Sequence, residues 1–111
     1  MPGPSDLPRG NIQLAMVLGL TISPASVGAN TTAEQTFTLQ GLQPGDVVSV
    51  TKPTTQAGLG VVNSRVTAAN TIGITFSNNT GGGIVPTAGE TYLVEMNRPT
   101  NPQQPLPTAI T

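Results

Sequence analysis

An all-β fold is predicted, a small antiparallel β-sandwich or barrel with an extended proline-rich arm at each end. Three observations predict it. Six short stretches alternate apolar and polar residues with period 2, the pattern of strands that bury one face. Turn residues separate them at short intervals, as in sandwiches and small barrels. No stretch combines 3.6-residue apolar spacing with helix caps.

The first element is IQLAMVLGLTI, residues 12–22. Ile12, Leu14, Met16, Leu18, Leu20 and Ile22 share one face, and Gln13, Ala15, Val17, Gly19 and Thr21 share the other. The second face is only mildly polar, so cover on both sides is expected. SPASVGANTTA then breaks the alternation with turn and loop residues. A second strand spans 34–40, with Phe37 and Leu39 inward. In GLQPGD, Pro44 and Gly45 suit the central positions of a type II turn, where Pro presets one φ and Gly supplies a positive one.

Residues 47–52 form a β-branched strand stopped by Pro53. Residues 61–67 and 71–77 flank the short connection AAN and read as a hairpin, with Ile72, Ile74 and Phe76 on one face. A long glycine-rich loop, NNTGGGIVPTAG, precedes the last strand, 90–97, where Tyr92, Val94 and Met96 oppose Leu93 and Glu95. The triplet ANT precedes a strand at 29–31 and again at 69–71. Shared turn chemistry explains this better than an internal repeat.

The ends differ from the body. MPGPSDLPRG opens the chain and NRPTNPQQPLPTAIT closes it. Prolines at 99, 102, 105 and 107 remove ladder donors and favour extended polyproline II, so neither end is expected to join a core. The expected organisation is an arm over 1–11, a β-sandwich over 12–97 and an arm over 98–111. An extended segment loses little entropy on docking, and the uncharged tip AIT suits contact better than solubilisation.

Composition excludes several functions. Charged residues are 8% of the chain, against about 25% in ordinary globular proteins, and net charge is only −1. Such a surface suits packing against protein. Nucleic-acid binding needs clustered Lys and Arg, whereas Arg9, Lys52, Arg65 and Arg98 are scattered singly. The apolar run 14–20 is too short to span a membrane. It imitates the hydrophobic region of a secretory signal, but the preceding prolines and the strand alternation argue against that reading.

There is no histidine and no cysteine, which removes the usual nucleophile–base pairs and thiolate metal sites. The acids are Asp6, Glu34, Asp46, Glu90 and Glu95. Glu90 and Glu95, five apart on one strand, face opposite sides, and Asp46 is placed to bond turn amides. No Asp-rich calcium loop occurs, and GLGVVN at 58–63 opens into a strand with no helix N-terminus for phosphate. NTT (30–32) and NNT (78–80) match the glycosylation sequon weakly. No enzyme, cofactor or metal is expected.

Three pieces of the chain carry a resemblance: GLQPGDVVSVTKPTTQAGLGVVNSRV (41–66), AANTIGITFSNNT (68–80) and PTAGETYLVEMNR (86–98). In their order they resemble the capsid cement, or decoration, proteins of tailed bacteriophages. The resemblance runs over 32–98, about three-fifths of the chain. It implies a jelly-roll-like sandwich, although six strands are evident where a full jelly roll has eight. It also implies a virion protein on the outer capsid surface that clamps neighbouring major capsid protein subunits. The second reading is a head-fibre or receptor-binding domain for host glycan, which would present aromatic platforms; Phe37, Phe76 and Tyr92 are the only aromatics and alternation turns them inward.

On the leading reading the partners are the major capsid protein and further copies of the chain, as a dimer or trimer. Arg9, Arg98, Pro102, Pro105 and Ile110 are the expected partner contacts. An exposed edge of strand 12–22 is the candidate self-association surface.

Overall fold

The structure is a computed structural model and describes residues 11–100. It is all-β, with no helix among the described residues. The elements in chain order are β1 (Ile12–Ile22), β2 (Thr31–Thr38), β3 (Val47–Thr51), β4 (Leu59–Ala68), β5 (Thr71–Asn78) and β6 (Glu90–Pro99). They form two antiparallel three-stranded sheets, β1-β6-β3 and β2-β5-β4, packed face to face on a shared core.

The two middle strands fill most of the space between the sheets. β5 contributes Ile72, Ile74 and Phe76, and β6 contributes Tyr92, Val94 and Met96, all buried. Phe76 and Tyr92 meet edge to face, centroids 6.4 Å apart and planes at 77°, the arrangement that the ring quadrupoles favour. Leu20 and Ile22 from β1, with Val27 and Leu42 from loops, complete the buried set. Phe37, Leu39, Val48, Val50, Val61 and Val66 pack around it. The expected inward faces of β2, β5 and β6 are thus the observed ones.

Turn chemistry works as read. Gly45 has φ +96° and the Asp46 amide donates to the Gln43 carbonyl at 3.0 Å, closing the Pro-Gly turn. Asn30 and Asn70, the middle residues of the two ANT triplets, both adopt left-handed φ, 50° and 58°. Asn tolerates that region better than most residues. Asn70 also joins the β4–β5 hairpin to the β2–β3 connection. Its side-chain oxygen accepts from the Gly41 amide at 2.8 Å and its own amide donates to the Leu42 carbonyl at 2.8 Å.

Three of the boundary differences from expectation have a clear structural cause. β2 begins at Thr31 because the ladder with β5 starts immediately after the Asn30 turn, with Thr31 opposite Asn78. β4 begins at Leu59 because a tight turn, Leu59 N–H to the Gln56 carbonyl at 3.0 Å, delivers the chain straight into pairing. β6 continues through Arg98 to Pro99, so the arm boundary drawn at 98 falls inside this strand. Pro99 is tolerated because it ends the strand, opposite Ile12.

A fourth difference concerns β1, expected to be covered on both sides. Gln13, Ala15, Val17, Gly19 and Thr21 are all exposed. On the core face full burial begins only at Leu20; Leu14 and Met16 stay 37% and 45% exposed. β1 is an edge strand of eleven residues, and its first half extends past the cover of the opposing sheet.

The Tyr92 hydroxyl is buried with no hydrogen-bond partner among the described residues. Burial pushes its pKa up to about 12. The sign follows: with a folded pKa raised above the ordinary 10, stability is unaffected below pH 10 and falls between pH 10 and 12. Tyr92→Phe is expected to leave neutral-pH stability unchanged or higher by up to about 1 kcal/mol, and to remove much of that alkaline loss. Urea unfolding at pH 7 and pH 11 checks both, and a neutral-pH loss above 2 kcal/mol would contradict the burial of a bare hydroxyl.

Candidate interaction surface

Each cation among the described residues is engaged by an acid. Lys52 Nζ lies 2.9 Å from Glu90 Oε1, Arg65 Nε 2.7 Å from Glu34 Oε2, and Arg98 Nε 2.8 Å from Asp46 Oδ1. No group of three metal-ligating side chains occurs among the described residues. These pairs organise the frame in three places.

The Lys52–Glu90 pair is largely enclosed, joining the end of β3 to the start of β6, and Thr54 donates its hydroxyl to Glu90. That hydroxyl and the Lys52 ammonium hold the Glu90 carboxyl below its usual range. The Arg65–Glu34 pair is bidentate and crosses the outer face of β2-β5-β4 above Gly73. A Cβ at Gly73 would come within 2.6 Å of Glu34 Oε2, so glycine there lets the two side chains meet over the middle strand. The pair is exposed, and such pairs contribute little stability.

Arg98, expected as a partner contact, is the third. Its Nε and Nη2 donate to the two Asp46 carboxylate oxygens at 2.8 and 2.9 Å, and Nη2 also donates to the Gly41 carbonyl at 2.7 Å. The Asp46 side chain is only 1% exposed and also accepts from the Gln43 amide at 2.9 Å. Arg98 therefore clamps the last residues of β6 to the β2–β3 connection, and its guanidinium is occupied within the chain. Arg9, Pro102, Pro105 and Ile110, with the arms that carry them, lie outside the described residues.

The two outer faces differ in chemistry. On β2-β5-β4 the outward rows are Thr32–Ser77, Glu34–Thr75–Asn63, Thr36–Gly73–Arg65 and Thr38–Thr71. This face is hydroxyl-rich and crossed by an ion pair. On β1-β6-β3 the outward rows are Ala15–Asn97–Val47, Val17–Glu95–Ser49 and Gly19–Leu93–Thr51. Val17, Val47 and Leu93 are 61%, 60% and 51% exposed, and Glu95 is the only charge in those rows. Leu14 and Met16 extend the apolar surface around the β1 edge. Asn97, Glu95, Ser49 and Thr51 stand among them, so the face is mixed but low in charge.

The first and last described residues meet at the end of this sheet. The Thr100 amide and hydroxyl donate to the Asn11 carbonyl at 2.6 and 2.7 Å. Leu14, Met16, Val17, Val47 and Leu93 were not singled out from the sequence as contacts. The available signal is the absence of any charge from 12 to 22. One weak motif is settled: the Asn78 side chain is buried, donating to the Val27 and Gly82 carbonyls and accepting from Thr80, which withdraws it as a glycosylation acceptor.

Asp46→Ala is expected to cost about 2 kcal/mol at pH 7, typical of a lost hydrogen bond to a charged group. The neighbouring Arg98 holds the Asp46 carboxyl below its ordinary 3.8. Its contribution is therefore present above pH 3.8 and is lost as pH falls through the lower folded value. Unfolding curves should show the variant and the parent converging in acid; a difference that persists unchanged below the folded value would contradict the clamp.

Comparison of the chain with protein-family models, with characterised proteins and with solved structures finds no match.

Proposed function

We propose that the chain is a structural virion protein that binds the outer surface of a tailed-phage capsid and cements neighbouring major capsid protein subunits. The observation that carries the reading is the low-charge apolar face of β1-β6-β3, placed beside the roots of both proline-rich segments. A sheet face with one charge loses little hydration on burial against protein. The proline-rich segments 1–10 and 101–111, attached at Asn11 and Thr100, would widen the grip without enlarging the body.

The strand order supports the jelly-roll reading. β1 pairs with β6 and β2 with β5, while β3 and β4 approach across the layers, where Ser64 Oγ donates to the Val48 carbonyl at 3.1 Å. Nested pairing divided between two sheets is the wrapping of a jelly roll with one hairpin fewer than the eight-stranded form.

The mechanism is mass action. A protein that binds assembled shell but not free subunits stabilises the shell by RT ln(1 + [L]/Kd), about 2.7 kcal/mol per site at a hundredfold excess over Kd. No reactive group is needed. A host-glycan domain would use exposed aromatic platforms, whereas Phe76 and Tyr92 are fully buried and Phe37 packs against the core. That arrangement favours the cement reading over the head-fibre one.

Capsids lacking the protein provide the test. Saturable co-sedimentation and a higher capsid melting temperature are expected. Leu93→Lys combined with Val17→Lys should weaken retention at least tenfold, and deletion of 101–111, which leaves β6 whole, should weaken it separately. No association with capsids at any concentration would contradict the proposal, and so would undiminished binding by the double variant together with retention on a host-glycan resin.

A further inference from the structure

We propose that two copies of the chain pair antiparallel through their β1 edges, in a register centred on Ala15, to give a two-fold dimer with a continuous six-stranded sheet. The inference deepens the self-association expected in the cement reading, but it concerns the free protein and does not require a capsid.

Edge strands present unpaired backbone groups, and natural sheets blunt them with charge, proline or shortness. Three of the four edges here are blunted. β2 carries Glu34 and β4 carries Arg65. β3 has five residues, flanked by Asp46 on one side and by Lys52 and Pro53 on the other. β1 is the exception: no charge and no proline, an unbroken register with β6 from Leu14 to Ile22 after one shift between Ile12 and Leu14, and no strand on its other side among the described residues.

The occupant follows from what is at hand. An unpaired backbone ladder is satisfied by another strand. The chain's own C-terminal segment, 101–111, begins beside the start of β1 but contains prolines at 102, 105 and 107, which lack the donors a ladder needs. The N-terminal segment, with prolines at 2, 4 and 8, has the same defect. A second β1 has equal length, a full set of donors and no charge to repel its twin.

The register is chosen by the exposed side chains. Leu14 and Met16 point to the core face yet remain uncovered. In an antiparallel pair centred on Ala15, Leu14 of each copy lies opposite Met16 of the other. No other residue-centred register maps these two positions onto one another. On the outward side, the small Ala15 faces its own copy.

The test uses that self-opposition. Ala15 is exposed in the single chain, so a charge there leaves the fold intact, while like charges directly opposite one another oppose pairing. In sedimentation velocity the parent protein is expected at twice 11.3 kDa. Ala15→Lys and Ala15→Glu are each expected at 11.3 kDa with unchanged circular dichroism, and an equimolar mixture of the two should restore the doubled mass.

A second measurement is independent of charge. Directly opposed residues in an antiparallel pair have Cα atoms about 4.5–5.5 Å apart, within disulfide reach, and the chain has no cysteine of its own. Ala15→Cys should oxidise to a covalent dimer at least tenfold faster than Thr36→Cys, on the opposite outer face. A monomeric parent, or an Ala15→Lys variant that keeps the doubled mass, would overturn the inference. Capsid binding by a strictly monomeric Ala15→Lys variant would separate the two proposals, overturning any need for the dimer in cementing while leaving cementing intact.

Discussion

The contact between β5 and β6 organises this domain. Each is the middle strand of its sheet, each turns three large side chains inward, and Phe76 meets Tyr92 where the layers touch. A chain of 111 residues with three aromatics has few large groups with which to fill a core. Placing two of them against one another at the centre lets the flanking strands be completed by valine, leucine and isoleucine. It also separates stability from the surface: with the core filled from the middle, the edge strands are free to differ.

They do differ. On one side Ser64 bridges β4 to β3, and the Lys52–Glu90 and Asp46–Arg98 pairs tie both ends of β6 to the β3 side of the domain. On the other, the connection between β1 and β2 is held by Gln35, whose side chain accepts from the Ala25 amide and donates to its carbonyl. The first half of β1 projects beyond that support with apolar groups on both faces. Every cation among the described residues is thus paired within the domain, and Glu95 is the one charge in the outward rows of β1-β6-β3. Thr100 and Asn11, the last and first described residues, are hydrogen-bonded to one another there.

Much of the fold was legible. Six strands, the Pro-Gly turn, the β4–β5 hairpin and the inward faces of β2, β5 and β6 follow from period-2 alternation and turn chemistry, both local properties. What was not legible depends on register. Alternation says that Leu14 and Leu20 share a face, not that the opposing sheet reaches one and misses the other. It placed β1 under cover on both faces, so the exposure of those faces was not expected, although the edge of the strand was read as a self-association surface. Arg98 looked like a free cation at the root of an arm because its partner, Asp46, lies 52 residues away and meets it only once β3 pairs with β6. Gly73 likewise reads as a weak point in a strand until the Glu34–Arg65 pair is seen to pass over it.

The central claim is that the β1 side of the domain is a contact surface and the hydroxyl-rich sheet is not. Amide hydrogen exchange on the free protein at low concentration, and again on capsids, tests it most directly. Slowed exchange over residues 12–22 on binding, with β2 and β4 unchanged, is the predicted result. Protection confined to β2 and β4, with β1 exchanging as fast as in the free protein, would contradict it.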